Sequence, residues 1–190
     1  QDYDQSVFHP AMKDYILSLS KSFQSPSDDQ EMTWALSNQV WVDKTFGLQE
    51  PFLDTIKAHY NAGVGVLDIR GDAEGARTTI NDFVAANTND LVKDLLPKGA
   101  LGSESAAVLT NSVYMLADWS QPFEKSQTYQ EVFAGTEGDK SVDMMHMTEF
   151  MPYAEFERFD VIAQDYVSGK VAMLWVLPKD GVALDDLESS

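Results

Sequence analysis

Apolar side chains recur at two different spacings along the first part of the chain. A spacing of three or four residues after Pro10 predicts a helix whose apolar face holds Met12, Tyr15, Ile16, Leu19 and Phe23. From Trp34 to Asp43 the spacing changes to two, which predicts a strand. Asn38 lies among the apolar residues of that strand, where an unpaired amide would be costly, so we expect it to have a hydrogen-bond partner.

The middle of the chain continues to alternate between helix and strand. A short helix is predicted from Pro51 to Tyr60, a strand at Val64–Leu67, and an amphipathic helix from Asp72 to Asn89. The almost continuously apolar stretch Ala106–Trp119 predicts a long strand that is covered on both faces or lies centrally in a mixed sheet. Asn111 is a second asparagine within this predicted buried strand.

Short strands dominate the last third of the chain. They are predicted around Tyr129–Phe133, Val142–Met147, Phe150–Tyr153, Phe159–Ala163 and Lys170–Leu177, with a turn at Pro178–Gly181 and the start of a helix after Leu184. Helices in the first half and strands in the second predict an α+β fold with antiparallel pairing rather than βαβ units. No repeat or linker divides the sequence, so we interpret residues 1–190 as one domain or a piece of one.

Charge and composition argue against several kinds of partner. The chain has 31 acidic and 13 basic residues, a net charge of -18, which repels phosphate backbones and anionic headgroups. We therefore expect neither nucleic acid nor a membrane as a partner. The absence of cysteine is compatible with a secreted or a cytosolic protein, and of the two we favour an extracellular or secreted location.

The sequence contains no recognisable catalytic or metal-binding pattern. His9, His59 and His146 are far apart and have no paired spacing with carboxylates, so we expect no metal and no cofactor. The serines of the Gly102–Ser105 stretch lack the strand–turn–helix context of a nucleophile. The methionines of the Met144–Met147 stretch suggest a soft-metal site less well than they suggest packing along one strand. We predict that the protein is not an enzyme.

Three collinear stretches nevertheless carry a resemblance to a known family. They are Asn81–Pro97, Val108–Phe123 and Met144–His146, with Ala35–Lys44 and Ala172–Pro178 as supporting matches. In order, spacing and content these stretches resemble the serpins, and the resemblance covers nearly the whole chain. It implies a serpin fold that is incomplete here: a mixed central sheet A with helices, and parts of sheets B and C.

The resemblance also implies roles for individual elements. The first helix resembles helix D, Pro51–His59 helix E, Asp72–Asn89 helix F, and Ala106–Ala117 the third strand of sheet A. In this comparison Asn38 and Asn111 would lie in the shutter, where sheet A parts to admit the reactive loop. Trp119 would lie in the breach, where insertion begins. Two buried asparagines could form a network that changes partners during insertion, or a static core network.

The function implied by the resemblance is inhibition of a serine-type or cysteine-type endopeptidase by a suicide-substrate mechanism, with the reactive loop inserting into sheet A. No reactive bond lies in this sequence. We interpret both ends as cuts, with the N-terminal helices and the C-terminal part that holds the reactive loop outside the 190 residues. A non-inhibitory serpin that acts as a chaperone, carrier or storage protein is the alternative, and an unrelated acidic binding module would require a chance match.

Two departures from the serpin pattern qualify these expectations. Met115–Asp118 replaces the Phe-Lys-Gly-Lys type of run that most serpins have before the breach tryptophan, so local contacts there are expected to differ. The helix that resembles helix D offers only Lys13 and Lys21 beside Asp14, whereas this helix is strongly basic in serpins that glycosaminoglycans activate. We therefore expect no activation by heparin.

Overall fold

The computed structural model describes residues 4–135 and 138–188 of the chain. In chain order the elements are α1 Gln5–Ser22, β1 Met32–Asp43, α2 Glu50–Tyr60, β2 Gly63–Leu67, α3 Ala73–Asn87, β3 Ala107–Ala117, a 3-10 turn at Lys125–Gln127, β4 Thr128–Phe133, β5 Lys140–Met145, β6 Tyr153–Glu155, β7 Phe159–Asp165, β8 Ala172–Pro178 and α4 Leu184–Glu188. The described residues divide into two compact units. The first comprises residues 4–24 and 32–116, and the second comprises residues 25–31, 117–135 and 138–188.

The first unit is built on a three-stranded sheet with the strand order β2-β1-β3. β1 and β2 are parallel, with Val40 opposite Val64, and α2 connects them. The expectation of antiparallel pairing rather than a βαβ unit is therefore wrong for this pair. Parallel neighbours need a crossover between them, and the short helix predicted from Pro51 is that crossover.

The contacts between β1 and β3 run in the opposite sense. The Asp43 N–H donates to the Ala106 carbonyl at 2.9 Å, and Asn38 lies beside Asn111. Residue numbers therefore rise along β1 as they fall along β3. The two strands are antiparallel, and the sheet is mixed. This mixed sheet agrees with the fold class that the resemblance implies.

Opposite faces of β1 pack against different helices. On one face Val40 and Val42 form a core with Ile56 of α2 and with Ala62, flanked by half-buried Leu48, Leu53, Tyr60 and Val64. On the other face the Trp41 ring meets Phe83 of α3 edge to face, with centroids 5.1 Å apart, and its indole N–H donates to Thr110 Oγ1 at 3.0 Å. Alternation of side chains along β1 thus places α2 on one face of the sheet and α3 on the other.

A glycine of β2 is required by the size of Trp41. Gly65 is the register partner of Trp41, and a Cβ atom at that position would lie 2.5 Å from the indole ring. The bare backbone of β2 therefore accommodates the ring.

Capping residues set the helix starts. The Asp72 carboxylate accepts from the Gly75 N–H at 2.9 Å and caps α3, which begins one residue after the predicted start at Asp72. α2 has proline in its first turn, as predicted. α1 begins earlier than the pattern after Pro10 indicated, because the Asp4 carboxylate accepts from the Ser6 N–H and starts the helix at Gln5, leaving Pro10 inside it.

The second unit contains a two-stranded sheet, β4-β5, and a three-stranded sheet, β6-β7-β8, both antiparallel. The strands predicted from alternation are present, although β6 begins at Tyr153, later than predicted, and Phe150 is fully exposed. The turn after β8 uses Gly181 at a φ of 82°, in the region that favours glycine. Within the described residues no helix is long and apolar enough to cross a bilayer.

Candidate functional site

β3 lies at one end of the sheet in the first unit, and within residues 4–135 and 138–188 its only neighbouring strand is β1. Thr110 and Ser112 are buried, whereas Leu109 and Val113 are 76% and 51% exposed. The prediction of a strand covered on both faces is therefore wrong for the described part of the chain. Both faces of β3 carry apolar residues and are suited to burial. Among the described residues, only the face with Thr110 and Ser112 is covered.

The register of β3 determines where its backbone groups point. Hydrogen-bonded pairs alternate with non-hydrogen-bonded pairs in an antiparallel ladder, and Asp43 with Ala106 is a hydrogen-bonded pair. Counting along the ladder, the N–H and C=O groups of Leu109, Asn111 and Val113 point away from β1. These groups form an edge that another strand can join.

The two asparagines of interest lie opposite each other across β1 and β3. Asn111 Nδ2 donates to Asn38 Oδ1 at 2.6 Å, and Asn38 Nδ2 donates to the Tyr60 carbonyl at 3.2 Å. They occupy a non-hydrogen-bonded pair of the ladder, where facing side chains approach most closely. The structure thus brings Asn38 and Asn111 together, and Asn38 has the hydrogen-bond partners that the sequence led us to expect.

Tyr60 is a member of this site that sequence reasoning missed. It is the last residue of α2, and Asn61 beyond it adopts a left-handed conformation with φ of 48°. The final carbonyls of a helix lack intrahelical partners, and Asn38 supplies one to Tyr60. The Tyr60 hydroxyl contacts His9 Nδ1 of α1 at 2.8 Å. The sequence did contain a signal for this contact. It predicts a helix that ends at Tyr60, and it predicts a strand in which Asn38 is the one polar residue on the apolar face.

The asparagines are less buried than the sequence predicted. Asn38 is half-buried and Asn111 is exposed. Both border a groove of about 660 Å³ between α1, α2 and the sheet, whose walls include Val40, Phe52 and Ile56. The expectation of two buried amides is therefore wrong for the described residues, because nothing among them fills the groove over β3.

Trp119 belongs to the second unit. Its ring stacks on Tyr166 with centroids 4.5 Å apart and an interplanar angle of 10°, and its backbone forms an antiparallel bridge with the same residue. Trp175 lies next to it at 6.5 Å and donates its indole N–H to the buried Gln164. Trp119 is thus held by stacking on Tyr166, in the connection between β7 and β8, with Trp175 of β8 beside it.

Asp118, the acidic residue directly before Trp119, forms local hydrogen bonds. The Asp118 carboxylate accepts from the Glu31 N–H at 2.8 Å, and the Asp118 N–H donates to the Glu31 carbonyl at 2.8 Å. Asp118 joins Asp28, Asp29 and Glu31 around one surface pocket. As expected from Met115–Asp118, the contacts here are those of a carboxylate rather than of lysines.

Two anchors hold the strands of the first unit in place. The Asp43 side chain at the end of β1 is buried and accepts hydrogen bonds from the Thr45 hydroxyl, the Thr45 N–H and the Arg70 N–H, so that the pKa of its carboxyl is lowered to about 2. The buried Asn81 of α3 accepts from the Leu96 N–H at 2.9 Å and donates to the Leu96 carbonyl at 3.0 Å. This second anchor positions the segment that leads from α3 into β3.

In the part of the chain that the structure describes, no group of three or more His, Cys, Asp or Glu side chains is arranged so that it could hold a metal ion. His146 stacks on Tyr129 with centroids 4.3 Å apart. Met144 is half-buried on β5 and Met145 is exposed, whereas the Met147 sulfur accepts from Gln164. The three methionines thus have different surroundings and do not gather around one point.

A family model described as "Serpin (serine protease inhibitor)" matches residues 2–190. The chain belongs to the serpin family. The resemblance identified from the three stretches is therefore confirmed, and so is the serpin fold class.

Individual relatives agree with this assignment. An uncharacterised serpin-like protein of Methanosarcina acetivorans is 33% identical over 162 residues, which is 85% of this chain and 38% of the relative. Human Serpin B3 is 30% identical over 190 residues, which is 98% of this chain and 47% of Serpin B3. The structure of emu ovalbumin superposes with a TM-score of 0.81 at 26% identity, over 95% of this chain and 45% of ovalbumin. The chain thus spans less than half the length of these relatives.

Proposed function

We propose that the full-length serpin that contains this chain inhibits a serine-type or cysteine-type endopeptidase as a suicide substrate. After the protease cleaves the reactive loop, the loop inserts into the central sheet as an additional strand. Strand addition of this kind by serpins is a recognised general mode of β-sheet recognition. The protein is consumed in the reaction and is not itself an enzyme.

The observation that carries the proposal is the outer edge of β3. Leu109, Asn111 and Val113 each direct one N–H and one C=O away from β1 along this edge. Each main-chain hydrogen bond formed there by an inserted strand contributes a net of about 0.5 to 1.5 kcal/mol. Several such bonds are enough to drive a large conformational change.

Asn38, Asn111 and Trp119 are the residues that we assign to this change. The bond between the Asn111 and Asn38 amides joins β3 to β1 and lies beside the edge that receives the loop. A shift of β3 relative to β1 during insertion would break this bond or require new partners for the two amides. Trp119 follows β3 in the chain and is stacked on Tyr166 within the second unit.

The partner of the proposed function is the target protease. A net charge of -18 opposes nucleic acid and anionic membranes as partners, and it opposes heparin. An extracellular or secreted location remains our prediction.

Incubation of the full-length protein with a panel of serine and cysteine proteases tests the function. An inhibitor of this type forms a complex that survives denaturing electrophoresis, and its cleaved form melts at a much higher temperature than its uncleaved form. Cleavage within the loop without a stable complex and without a rise in melting temperature would instead favour the non-inhibitory alternative of a chaperone, carrier or storage protein.

A further inference from the structure

A continuous chain of contacts links a histidine on α1 to the edge strand β3. His9 Nδ1 contacts the Tyr60 hydroxyl at 2.8 Å, the Tyr60 carbonyl accepts from Asn38 at 3.2 Å, and Asn38 accepts from Asn111 at 2.6 Å. These four residues come from α1, α2, β1 and β3 in turn. A displacement of α2 against α1 therefore changes the position of the amide pair.

A second histidine lies at the same helix contact. The His59 ring of α2 stacks on the His9 ring of α1 with centroids 5.9 Å apart and an interplanar angle of 25°. His59 Nδ1 is buried without a hydrogen-bond partner among the described residues. A protonated imidazole has two N–H donors, so charging His59 in this position leaves one buried donor unpaired.

The other charged groups around the two rings add to this cost. Lys13 of α1 and Lys57 of α2 border the same groove as His59, and the Tyr60 hydroxyl faces His9. The sheet residues that border the groove on the His9 side are all uncharged: Asn38, Gln39, Val40, Leu109, Thr110 and Asn111. No carboxylate among the described residues borders either groove, although the chain as a whole is strongly acidic.

We propose that His9 and His59 form an acid-sensitive contact between α1 and α2 which, when both rings are protonated, releases Tyr60 from Asn38. Imidazole changes its charge between about pH 5 and pH 8. Two cations about 6 Å apart repel each other, and Lys13 and Lys57 increase the repulsion. Acid therefore separates the helices, frees the Asn38–Asn111 pair and makes β3 easier to displace.

This inference rests on the proposed function where it concerns loop insertion, but its test needs no protease. The measurement is the rate at which the full-length protein self-associates or converts to an inactive, heat-resistant form at about pH 8 and at about pH 5.5. We expect the parent to convert roughly tenfold faster at the lower pH, and the double variant His9→Gln with His59→Gln to differ by no more than about twofold. His146→Gln is the matched control, because it removes the third histidine without touching this contact, and it should retain the response of the parent.

Hydrogen exchange on the parent gives a second measurement that does not depend on a folded variant. After correction for the intrinsic pH dependence, amides of α1 and α2 should exchange faster at the lower pH, while those of β4 and β5 should not. An equal pH response in the parent and in the double variant, or acid-induced exchange that is absent from α1 and α2, overturns the inference. Failure to inhibit any protease would contradict the proposed function and leave these two measurements unaffected.

Discussion

At the scale of single residues, the buried Asp43 carboxyl depends on three hydrogen-bond donors that keep it ionised. Its pKa is lowered to about 2 from the ordinary value of 3.8, first by the Thr45 hydroxyl and then by the N–H groups of Arg70 and Thr45. A carboxyl whose folded pKa is depressed stabilises the fold fully above the unfolded pKa, and this stabilisation is lost as the pH falls through the folded pKa. The loss should therefore extend from about pH 4 down to about pH 2.

The variant Asp43→Asn tests this dependence. It should be less stable than the parent at neutral pH, because an amide cannot accept from all three donors, and its stability should fall less steeply in the acid range. Chemical unfolding of the full-length protein at a series of pH values measures both effects. Asp54→Asn, at an exposed position on α2, is the control and should keep the parent's acid dependence. The same steepness in Asp43→Asn and in the parent would contradict the assignment.

Asn111 gives a second prediction at this scale. In Asn111→Ala the Asn38 oxygen loses its donor, and we expect a loss of about 1 kcal/mol in the native full-length protein, with a smaller loss in the loop-cleaved form if the inserted strand supplies new partners. Paired thermal melts of the two forms, with and without the substitution, measure the difference. Gln130→Ala on β4 removes an exposed amide in the second unit and should affect both forms alike. Equal destabilisation by Asn111→Ala would make Asn111 an ordinary structural amide.

At the scale of the elements, α1 carries the prediction about heparin. Lys13 and Lys21 are its only basic residues other than His9, both are exposed, and Asp14 adjoins the first of them. Polyanion binding depends on several clustered cations, and the net charge of -18 opposes approach. We expect heparin to leave the rate of protease inhibition unchanged at physiological salt. Accelerated inhibition that disappears in Lys13→Gln would show that α1 binds heparin despite this charge.

The elements also show how far the sequence could predict the fold. Among the described residues, spacing located the helices and seven of the eight strands, because alternation and helical periodicity are local properties. The strand predicted at Phe150–Tyr153 overlaps β6 at Tyr153 only. Local sequence patterns could not predict that β1 and β2 are parallel, because their relative direction depends on how α2 packs against the sheet. The resemblance placed Asn38 and Asn111 in the same region of the fold. Their hydrogen bond and the contacts with Tyr60 and His9 depend on the register of the folded elements.

At the scale of the whole molecule, the family match extends over residues of both compact units, while the relatives are more than twice as long as the stretch they share with this chain. A single partial domain therefore stays a prediction. What the described units have in common is exposed apolar strand surface. In the first unit it lies on β3, and in the second on β8, where Leu174, Val176 and Leu177 are more than half exposed.

These surfaces lead to the prediction that the 190 residues made alone self-associate. β8 ends its sheet within the described residues and is apolar on both faces, which is the pattern of a strand that is normally paired and covered. Light scattering and sedimentation of the isolated chain should detect oligomers at micromolar concentration. A monomer with one cooperative unfolding transition would contradict the prediction.

A charged substitution on this strand tests whether self-association occurs by pairing at the edge of β8 or by nonspecific hydrophobic contact. Val176→Lys puts a lysine on β8, where natural proteins use charge to prevent pairing between edges, and it should reduce self-association. Val7→Lys is the matched control, because it makes the same change at an exposed position on α1, with 64% of Val7 and 51% of Val176 accessible. If both variants reduce self-association equally, net charge is responsible. If only Val176→Lys does so, the open edge of β8 drives association.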